Sequence, residues 1–320
     1  MSAVPATDRP FIAVDWGTSS FRAALIAPDG EILDELAEPR GISSFKKGEF
    51  AAYLIAACAG FVRAGGHFYL LSGMVGSKNG LAEVPYCPCP ATAAEIAANA
   101  VWVVKDRIAI VPGLRSAFDD VMRGEETQIL GAANVLGITD ALMVLPGVHS
   151  KWVSLENGAI VGFNTFMTGE FYALLAQHST LSHNMPSAQS VAPSALFATT
   201  TETSMTTSAA PPETSAYLQG IEHATRSESL LNTAYSVRVK SQFGHMEPVQ
   251  MASYLSGLVI GEELISMQLE PGSEVVVVGS QAMSERYRLA LEHLGVRARI
   301  LGTQTTWAGL HTIYQHIRKT

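Results

Sequence analysis

FIAVDWGTSSFRAALI, residues 11–26, reads as a buried strand, a turn of small residues and a second strand that runs on to a turn at Pro28-Asp29-Gly30. Gly17 lets the backbone approach a ligand closely. The hydroxyls of Thr18, Ser19 and Ser20 lie beside the turn's N–H groups, chemistry suited to phosphate oxygens. At the lip of the turn, Asp15 offers a carboxylate that could hold a hydrated Mg²⁺ bridging nucleotide phosphates. Strand, glycine turn and strand also make an ordinary hairpin, so this stretch alone does not separate structure from ligand binding.

A second copy shifts the balance. LMVLPGVHSKWVSLENGAIVGFNT, residues 142–165, repeats the order of strand, glycine turn, strand, Asx-Gly turn and strand. Gly17 answers to Gly147 and Gly30 to Gly158, with a two-residue difference between the copies, which points to internal duplication. Two related domains facing each other would set two phosphate-cradling hairpins across one cleft, the usual place for a small-molecule site. The expected fold is therefore α/β, two actin-like (ribonuclease H-like) domains with a central cleft, an architecture that resembles the actin-like ATPases and sugar kinases. Residues 1–136 form the N-terminal domain, with the first hairpin and the substrate side. Residues 137–320 form the second, with the other hairpin and the adenosine site.

Composition agrees with two domains that each have a core: 320 residues, 48% hydrophobic. The formal charge of −8 supplies no electrostatic footprint for nucleic acid. The polar start MSAVPATDRP lacks the apolar core of a signal peptide, and no apolar run reaches spanning length. A cytoplasmic protein without membrane partners is expected. Three cysteines, Cys58, Cys87 and Cys89, argue against a disulfide framework, and Cys87-Pro88-Cys89 lacks a second ligand pair for zinc.

Along the chain, residues 50–63 read as one helix and 68–71 as a strand that enters the glycine-punctuated loop SGMVGSKNG, residues 72–80. Ligands bind at such loops in open α/β sheets, although a connecting loop looks the same. Lys78 could reach an anionic substrate there; an exposed loop lysine is ordinarily just solvated. Residues 91–101 read as helical. MRGEETQILGA, residues 122–132, starts a helix with Glu125 and Glu126 in its first turn, where acidic residues commonly complement the helix dipole. Adjacent helix positions diverge by about 100°, so only one of the two can face a cleft while the other caps or pairs. Thr168 is a candidate N-cap for a helix that carries Glu170, which reads either as a dipole-favourable charge or as an acceptor for a substrate hydroxyl. Lys151 reads as a phosphoryl contact or as a strand-edge lysine. Residues 187–215, rich in Ser, Thr and Pro, read as a mobile excursion without chemistry. The run EVVVV, residues 274–278, is a buried strand that ends at Gly279-Ser280, and a final amphipathic helix covers 303–318.

DWGTSSFR (15–22), SGMVGS (72–77), MRGEETQILGA (122–132), PGVHSKWV (146–153) and MTGE (167–170) occur in that order, and together they resemble the 2-dehydro-3-deoxygalactonokinase family, a branch of the actin-like sugar kinases. The resemblance spans nearly the whole chain. It implies ATP-dependent phosphorylation of 2-dehydro-3-deoxy-D-galactonate at O6, in galactonate breakdown. In the wider sugar kinases a G-D-x-x-A-A-x-x-G segment supplies an aspartate base. Its counterpart here begins Gly124-Glu125-Glu126, which places Glu125 on the base and leaves Glu126 as the alternative. The resemblance further implies phosphate contacts at Gly17, Thr18, Ser19, Gly147, Ser150 and Lys151, and an adenosine turn at Gly279, Ser280 and Gln281. Candidate substrate contacts are Ser77, Lys78, Arg123, His149 and Glu170, and Mg²⁺ would be held through water at Asp15. ATP and a sugar acid are then the partners, with room for a homodimer. Two other readings stand beside this one: a kinase for a different small sugar or sugar acid, and a nucleotide-gated actin-like binding protein. The acidic helix start and the lack of a separate peptide-binding domain weigh against the latter.

Overall fold

A computed structural model describes residues 9–185, 212–227 and 229–318. The chain opens with the meander β1 (Phe11–Trp16), β2 (Phe21–Ile26) and β3 (Ile32–Glu38). Helices α1 (Phe50–Ala57) and α2 (Ala59–Arg63) follow, then β4 (Tyr69–Ser72), β5 (Cys87–Pro88) and α3 (Ala93–Ala98). Next come β6 (Val101–Val104), β7 (Ile108–Ile110), β8 (Leu114–Arg115), β9 (Val121–Met122) and α4 (Glu125–Leu136). The second meander is β10 (Ala141–Leu145), β11 (Ser150–Glu156) and β12 (Ala159–Phe166), followed by α5 (Thr168–His178). Helices α6 (Pro212–Thr225), α7 (Leu230–Thr233), α8 (Tyr235–Gln242) and α9 (Pro248–Ser266) precede β13 (Glu274–Val278), α10 (Gln281–His293), β14 (Arg297–Leu301) and α11 (Thr305–Ile317).

The duplication read from two glycine turns recurs in the sheets. Six strands run in the order β3-β2-β1-β4-β7-β6 and five in the order β12-β11-β10-β13-β14. Each sheet thus places its meander in reverse order at one edge and continues from the first meander strand into parallel partners: β4 and β7 beside β1, β13 and β14 beside β10. Strand β1 is apolar and buried nearly throughout because neighbours flank it on both sides; β3, at the edge, is largely exposed. Gly30 and Gly158 end the corresponding second turns, and both hold positive φ, 97° and 76°. A short third sheet is ordered β5-β8-β9.

Two compact units result, Met1–Ala141 with Val153–Asn164 and Thr303–Thr320, and Leu142–Trp152 with Thr165–Gly302. The first centres on Trp16, whose ring meets Phe21, Phe45, Phe50 and Tyr53 at centroid distances of 4.9–5.6 Å. On it α11 crosses α4 through glycines: a Cβ on Gly131 would lie 1.8 Å from the Thr305 carbonyl oxygen, and one on Gly309 1.8 Å from that of Thr127. The second unit packs Val144, Trp152, Tyr217, Ile260, Val275, Val277 and Tyr287 together. Among the described residues no helix is long and apolar enough to cross a membrane, and the three cysteines are free thiols.

Several local expectations shift. The helix read over 50–63 breaks at Cys58, and the one read over 91–101 stops at Ala98, where Val101 begins a β-branched strand. Thr168 is not the N-cap of α5; Met167 is, and the Thr168 hydroxyl turns to a buried carboxylate instead. The last helix, α11, belongs with the first unit. The excursion read at 187–215 lies outside the described residues as far as 211, and Pro212 already begins α6.

Candidate active site

In the first unit the carboxyl ends of β1 and β4 lie side by side, with Asp15 in register with Ser72. Parallel strands present ligand-binding loops at this end. Arg22, one strand over, donates from Nε (3.1 Å) and Nη2 (2.5 Å) to Asp15 Oδ2, and the same Nη2 donates to Thr306 Oγ1 at 3.2 Å. Its guanidinium also lies 5.4 Å from the Trp307 ring centroid, so the arginine that fixes the Asp15 side chain is itself held by α11. Among the described residues no group of three or more His, Cys, Asp or Glu side chains could hold a metal ion. Asp15 therefore fits a divalent cation only as a contact to an ion that brings its other oxygen ligands, from phosphates and water.

The first hairpin tip is open. Gly17 donates to the Ser20 carbonyl at 2.9 Å, and Thr18, Ser19 and Ser20 are exposed. A Cβ added to Gly17 would meet only ordinary contacts, 3.5 Å at the nearest, so packing does not account for glycine there. The tip is pinned from behind: Ile42 N–H donates to the Gly17 carbonyl at 3.0 Å, and Ser43 Oγ donates to that of Thr18 at 2.7 Å. Gly41 permits this approach, because a Cβ on it would fall 2.1 Å from the Thr18 oxygen.

Helix α4 begins against the same carboxyl end of the sheet, where Gly124 (φ 107°) passes Gly73 so closely that a Cβ would sit 3.3 Å from the Gly73 Cα. Its two acidic residues part company, as their 100° separation requires. Glu126 is fully buried and accepts from Gly124 N–H at 2.7 Å and from Ser72 Oγ at 3.2 Å. Glu125 is half-buried, and its Oε2 accepts from Arg123 N–H at 3.0 Å. Burial above all, then the neighbouring Glu125 charge, pushes the Glu126 carboxyl up to about 8.

A pH prediction follows from that shift. The folded chain keeps a proton on Glu126 that the unfolded chain releases near its ordinary value, so this contribution to stability is full at acid pH and falls as pH rises toward about 8. Glu126→Gln removes the ionisation. Between pH 5 and 8 the urea stability of the unaltered protein should drop by on the order of 4 kcal/mol more than that of the variant. Equal slopes in the two proteins would show that Glu126 ionises freely in the fold.

The loop after β4 carries the remaining first-unit candidates. Ser77 Oγ is buried and, among the described residues, has no hydrogen-bond partner; Lys78 is exposed. Arg123 turns under this loop, with Nη2 donating to the Val84 carbonyl at 2.8 Å and the guanidinium 4.3 Å from the Tyr86 ring centroid. Its Nε and Nη1 are buried without hydrogen-bond partners among the described residues.

In the second unit the tip of the second hairpin, the start of α5 and the turn after β13 come together. Glu170 N–H donates to the Val148 carbonyl at 3.1 Å, and His149 Nε2 lies 2.6 Å from Glu170 Oε2, so these two candidates hold each other. A Cβ on Gly169 would fall 2.6 Å from the Gly147 oxygen. Gly279 lies against Pro146, and Ser280 and Gln281 are exposed at the start of α10, above a buried Ser284 Oγ with no partner among the described residues.

Two expected phosphate ligands do not fit that role. Ser150 is fully buried; its hydroxyl donates to Glu263 Oε1 at 2.8 Å and receives one from Tyr287 at 3.3 Å. Lys151 is 5% exposed, and β11 lies inside its sheet, so it is neither an exposed phosphate contact nor an edge guard. Both side chains are buried because β11 is covered on both faces. The exposed part of this hairpin is Val148 and His149, beside the half-buried Gly147.

Glu263, on α9, escaped the sequence reading. It is 2% exposed and accepts from Ser150, Trp152 Nε1 (2.6 Å), Tyr287 (2.8 Å) and Thr168. Burial pushes its carboxyl up, and the four donors only partly offset that. The one signal available was an acidic residue within an apolar helix. Arg22, likewise unassigned, sits in a quoted motif without chemistry that singles it out, and Ser43 lies outside every quoted motif.

A 37% identical relative over 298 residues, covering 90% of this chain and 91% of its own, is the probable 2-dehydro-3-deoxygalactonokinase of Rhizobium meliloti (strain 1021). The 2-dehydro-3-deoxygalactonokinase of Escherichia coli (strain K12) is 30% identical over 309 residues, 95% of this chain and 97% of its own. A crystal structure of a Sinorhizobium meliloti protein assigned that same activity superposes with a TM-score of 0.77 at 35% identity, covering 97% and 98% of the two chains. At 12% identity and a TM-score of 0.53, the ADPNP-bound activator of a 2-hydroxyisocaproyl-CoA dehydratase from Clostridium difficile shares the fold alone, covering 97% and 96%. The architecture is thus that of the actin-like ATPases and sugar kinases, as the doubled hairpin led one to expect. Since the 2-keto-3-deoxy-galactonokinase family model matches residues 15–313 and both curated relatives align along nearly their full length, the chain belongs to that family.

Proposed function

We propose that this chain is an ATP-dependent sugar-acid kinase that phosphorylates the O6 hydroxyl of 2-dehydro-3-deoxy-D-galactonate, a step of galactonate catabolism. The observation that carries the reading is the gathering of Asp15, the open Gly17–Ser19 tip and the acidic start of α4 at the carboxyl ends of β1 and β4, in a chain of this family.

Phosphoryl transfer asks a protein mainly for positioning and charge neutralisation. The backbone N–H groups and hydroxyls of Gly17, Thr18 and Ser19 bind phosphate oxygens; in the second unit the Gly147 tip offers backbone N–H groups of the same chemistry. Gly279, Ser280 and Gln281 form the turn on which the adenosine rests. Arg22 holds the Asp15 side chain in place, and Asp15 would hold Mg²⁺ through water, the ion supplying charge neutralisation to the phosphates when bound. Glu125, the more accessible of the two acids, accepts the proton of the attacking hydroxyl. Burial and a raised pKa would favour Glu126 as the base on electrostatic grounds alone. A base must reach the hydroxyl, however, and Glu126 lies wholly beneath the helix start, so it serves to anchor Ser72 and Gly124. The site is expected in the cytoplasm.

ADP release measured across epimeric keto-deoxy acids tests the reading. Release that depends on the galacto-configured acid and exceeds the sugar-free rate by at least about a hundredfold is expected. ATP hydrolysis that ignores every sugar acid would sink it, and preference for another acid would redirect the substrate.

A further inference from the structure

The first unit contains a hollow of about 440 Å³ whose walls include Thr18, Ser43, Lys47, Met74, Lys78 and Asn79. Thr18 belongs to the proposed phosphate hairpin, so this hollow opens beside the place where a phosphoryl group would be delivered. Its linings are of two kinds. Hydroxyl, amide and ammonium groups come from Thr18, Ser43, Asn79, Lys47 and Lys78, while Met74 contributes an apolar patch together with Ile42 and Phe45.

The two lysines come from different loops, each tightly held. Lys47 lies between the 3-10 turn at Ile42–Ser44, which Ser43 bonds to Thr18, and Gly48, whose φ of 100° closes the turn into α1. Lys78 lies in a loop closed by Gly80 N–H to the Ser77 carbonyl at 2.9 Å and Leu81 N–H to that of Val75 at 2.9 Å. The loop admits nothing larger than glycine at 80, where a Cβ would fall 2.1 Å from the Val75 oxygen. Among the described residues neither lysine forms an ion pair. Two cations without an ion-pair partner among the described residues, at one small hollow of mixed polar and apolar lining in a protein of net charge −8, define a local site for an anion.

From this geometry we infer that the hollow is the sugar-acid pocket and that Lys47 and Lys78 together recognise the substrate's carboxylate. The inference rests on the kinase reading above and deepens it. The carboxylate sits between the two ammonium groups, the hydroxyls face Ser43 and Asn79, and the deoxygenated carbon lies against Met74 and Phe45. This arrangement turns the end of the molecule remote from the carboxylate toward Thr18 and the phosphate hairpin. Lys47 is thereby a specificity residue that no motif singled out, and Lys78 gains a defined partner.

Steady-state kinetics with Lys47→Met, Lys78→Met and the double variant test it, with Lys105→Met as a control for loss of one surface charge elsewhere. Each single change should raise KM for the sugar acid by about tenfold and the double change by about a hundredfold, since charge-assisted hydrogen bonds are lost. KM for ATP should stay within about twofold, as should kcat/KM for the analogue in which the carboxylate is replaced by a hydroxymethyl group. Unchanged sugar-acid KM in the double variant overturns the inference while leaving the kinase reading intact. An equal loss with the acid and with its uncharged analogue also overturns it, because then the lysines shape the pocket without reading charge. No sugar-acid turnover by the unaltered enzyme would remove the kinase reading and this inference together.

Discussion

Glu125→Gln is expected to lower kcat by about 10²–10⁴-fold with KM for ATP within about twofold of the unaltered value. Glutamine keeps the length of the side chain and can still accept the Arg123 N–H that Glu125 Oε2 accepts at 3.0 Å. It cannot take up a proton from an alcohol. The loss should therefore appear in turnover, not in nucleotide binding or in the fold. Glu126→Gln serves as the contrast, because its carboxyl is fully buried against Ser72 and Gly124 and its removal should act on stability and on the shape of the helix start. A Glu125→Gln enzyme that retains its turnover, beside a Glu126→Gln enzyme that has lost it, would exchange the two roles.

Glu263→Ala is expected to cost on the order of 3–5 kcal/mol of unfolding free energy, a large share of the roughly 5–15 kcal/mol that a folded domain ordinarily possesses. The reason is the number of groups it orphans. Ser150 and Trp152 on β11, Thr168 at the start of α5 and Tyr287 on α10 all donate to this one carboxylate from α9. Each buried donor left without a partner costs about 1–3 kcal/mol, part of which water entering the space would recover. Glu263→Gln should be far milder, below about 2 kcal/mol, because three of the partners are hydroxyls that can reverse their hydrogen bonds, whereas the indole N–H can still donate to the amide oxygen. Trp152, itself a partner and 1% exposed, supplies a fluorescence signal for chemical denaturation of this region. Equal stability of the alanine and glutamine variants would refute the account of Glu263 as the fastening of the second hairpin.

The contrast between the hairpin tips and their supports shows which features a sequence discloses. Gly17 and Gly147 were legible because a repeat of strand, glycine turn and strand is a local pattern, and its copies keep their order in both sheets. Glu125 and Glu126 were legible as a pair, since helix geometry forbids both from facing one way. Ser150 and Lys151 misled because they follow a phosphate-type glycine turn, yet both are buried at the start of β11; Ser150 meets Glu263 of α9 and Tyr287 of α10, far along the chain. Glu263 reaches Ser150 across 113 residues of sequence, a separation over which no periodicity operates. Lys47 and Lys78 share a hollow only because two loops fold toward Thr18. Helix ends moved for local reasons: Cys58 interrupts one helix, and the β-branched run from Val101 ends the reach of another.

Phosphorus NMR of a reaction containing the protein, ATP, Mg²⁺ and 2-dehydro-3-deoxy-D-galactonate measures the central claim most directly. The account predicts a new phosphomonoester resonance, scalar-coupled to the two protons on C6, that grows in step with ADP and is absent when the sugar acid is withheld. Growth of inorganic phosphate alone, with no phosphorus coupled to the sugar acid, would contradict it.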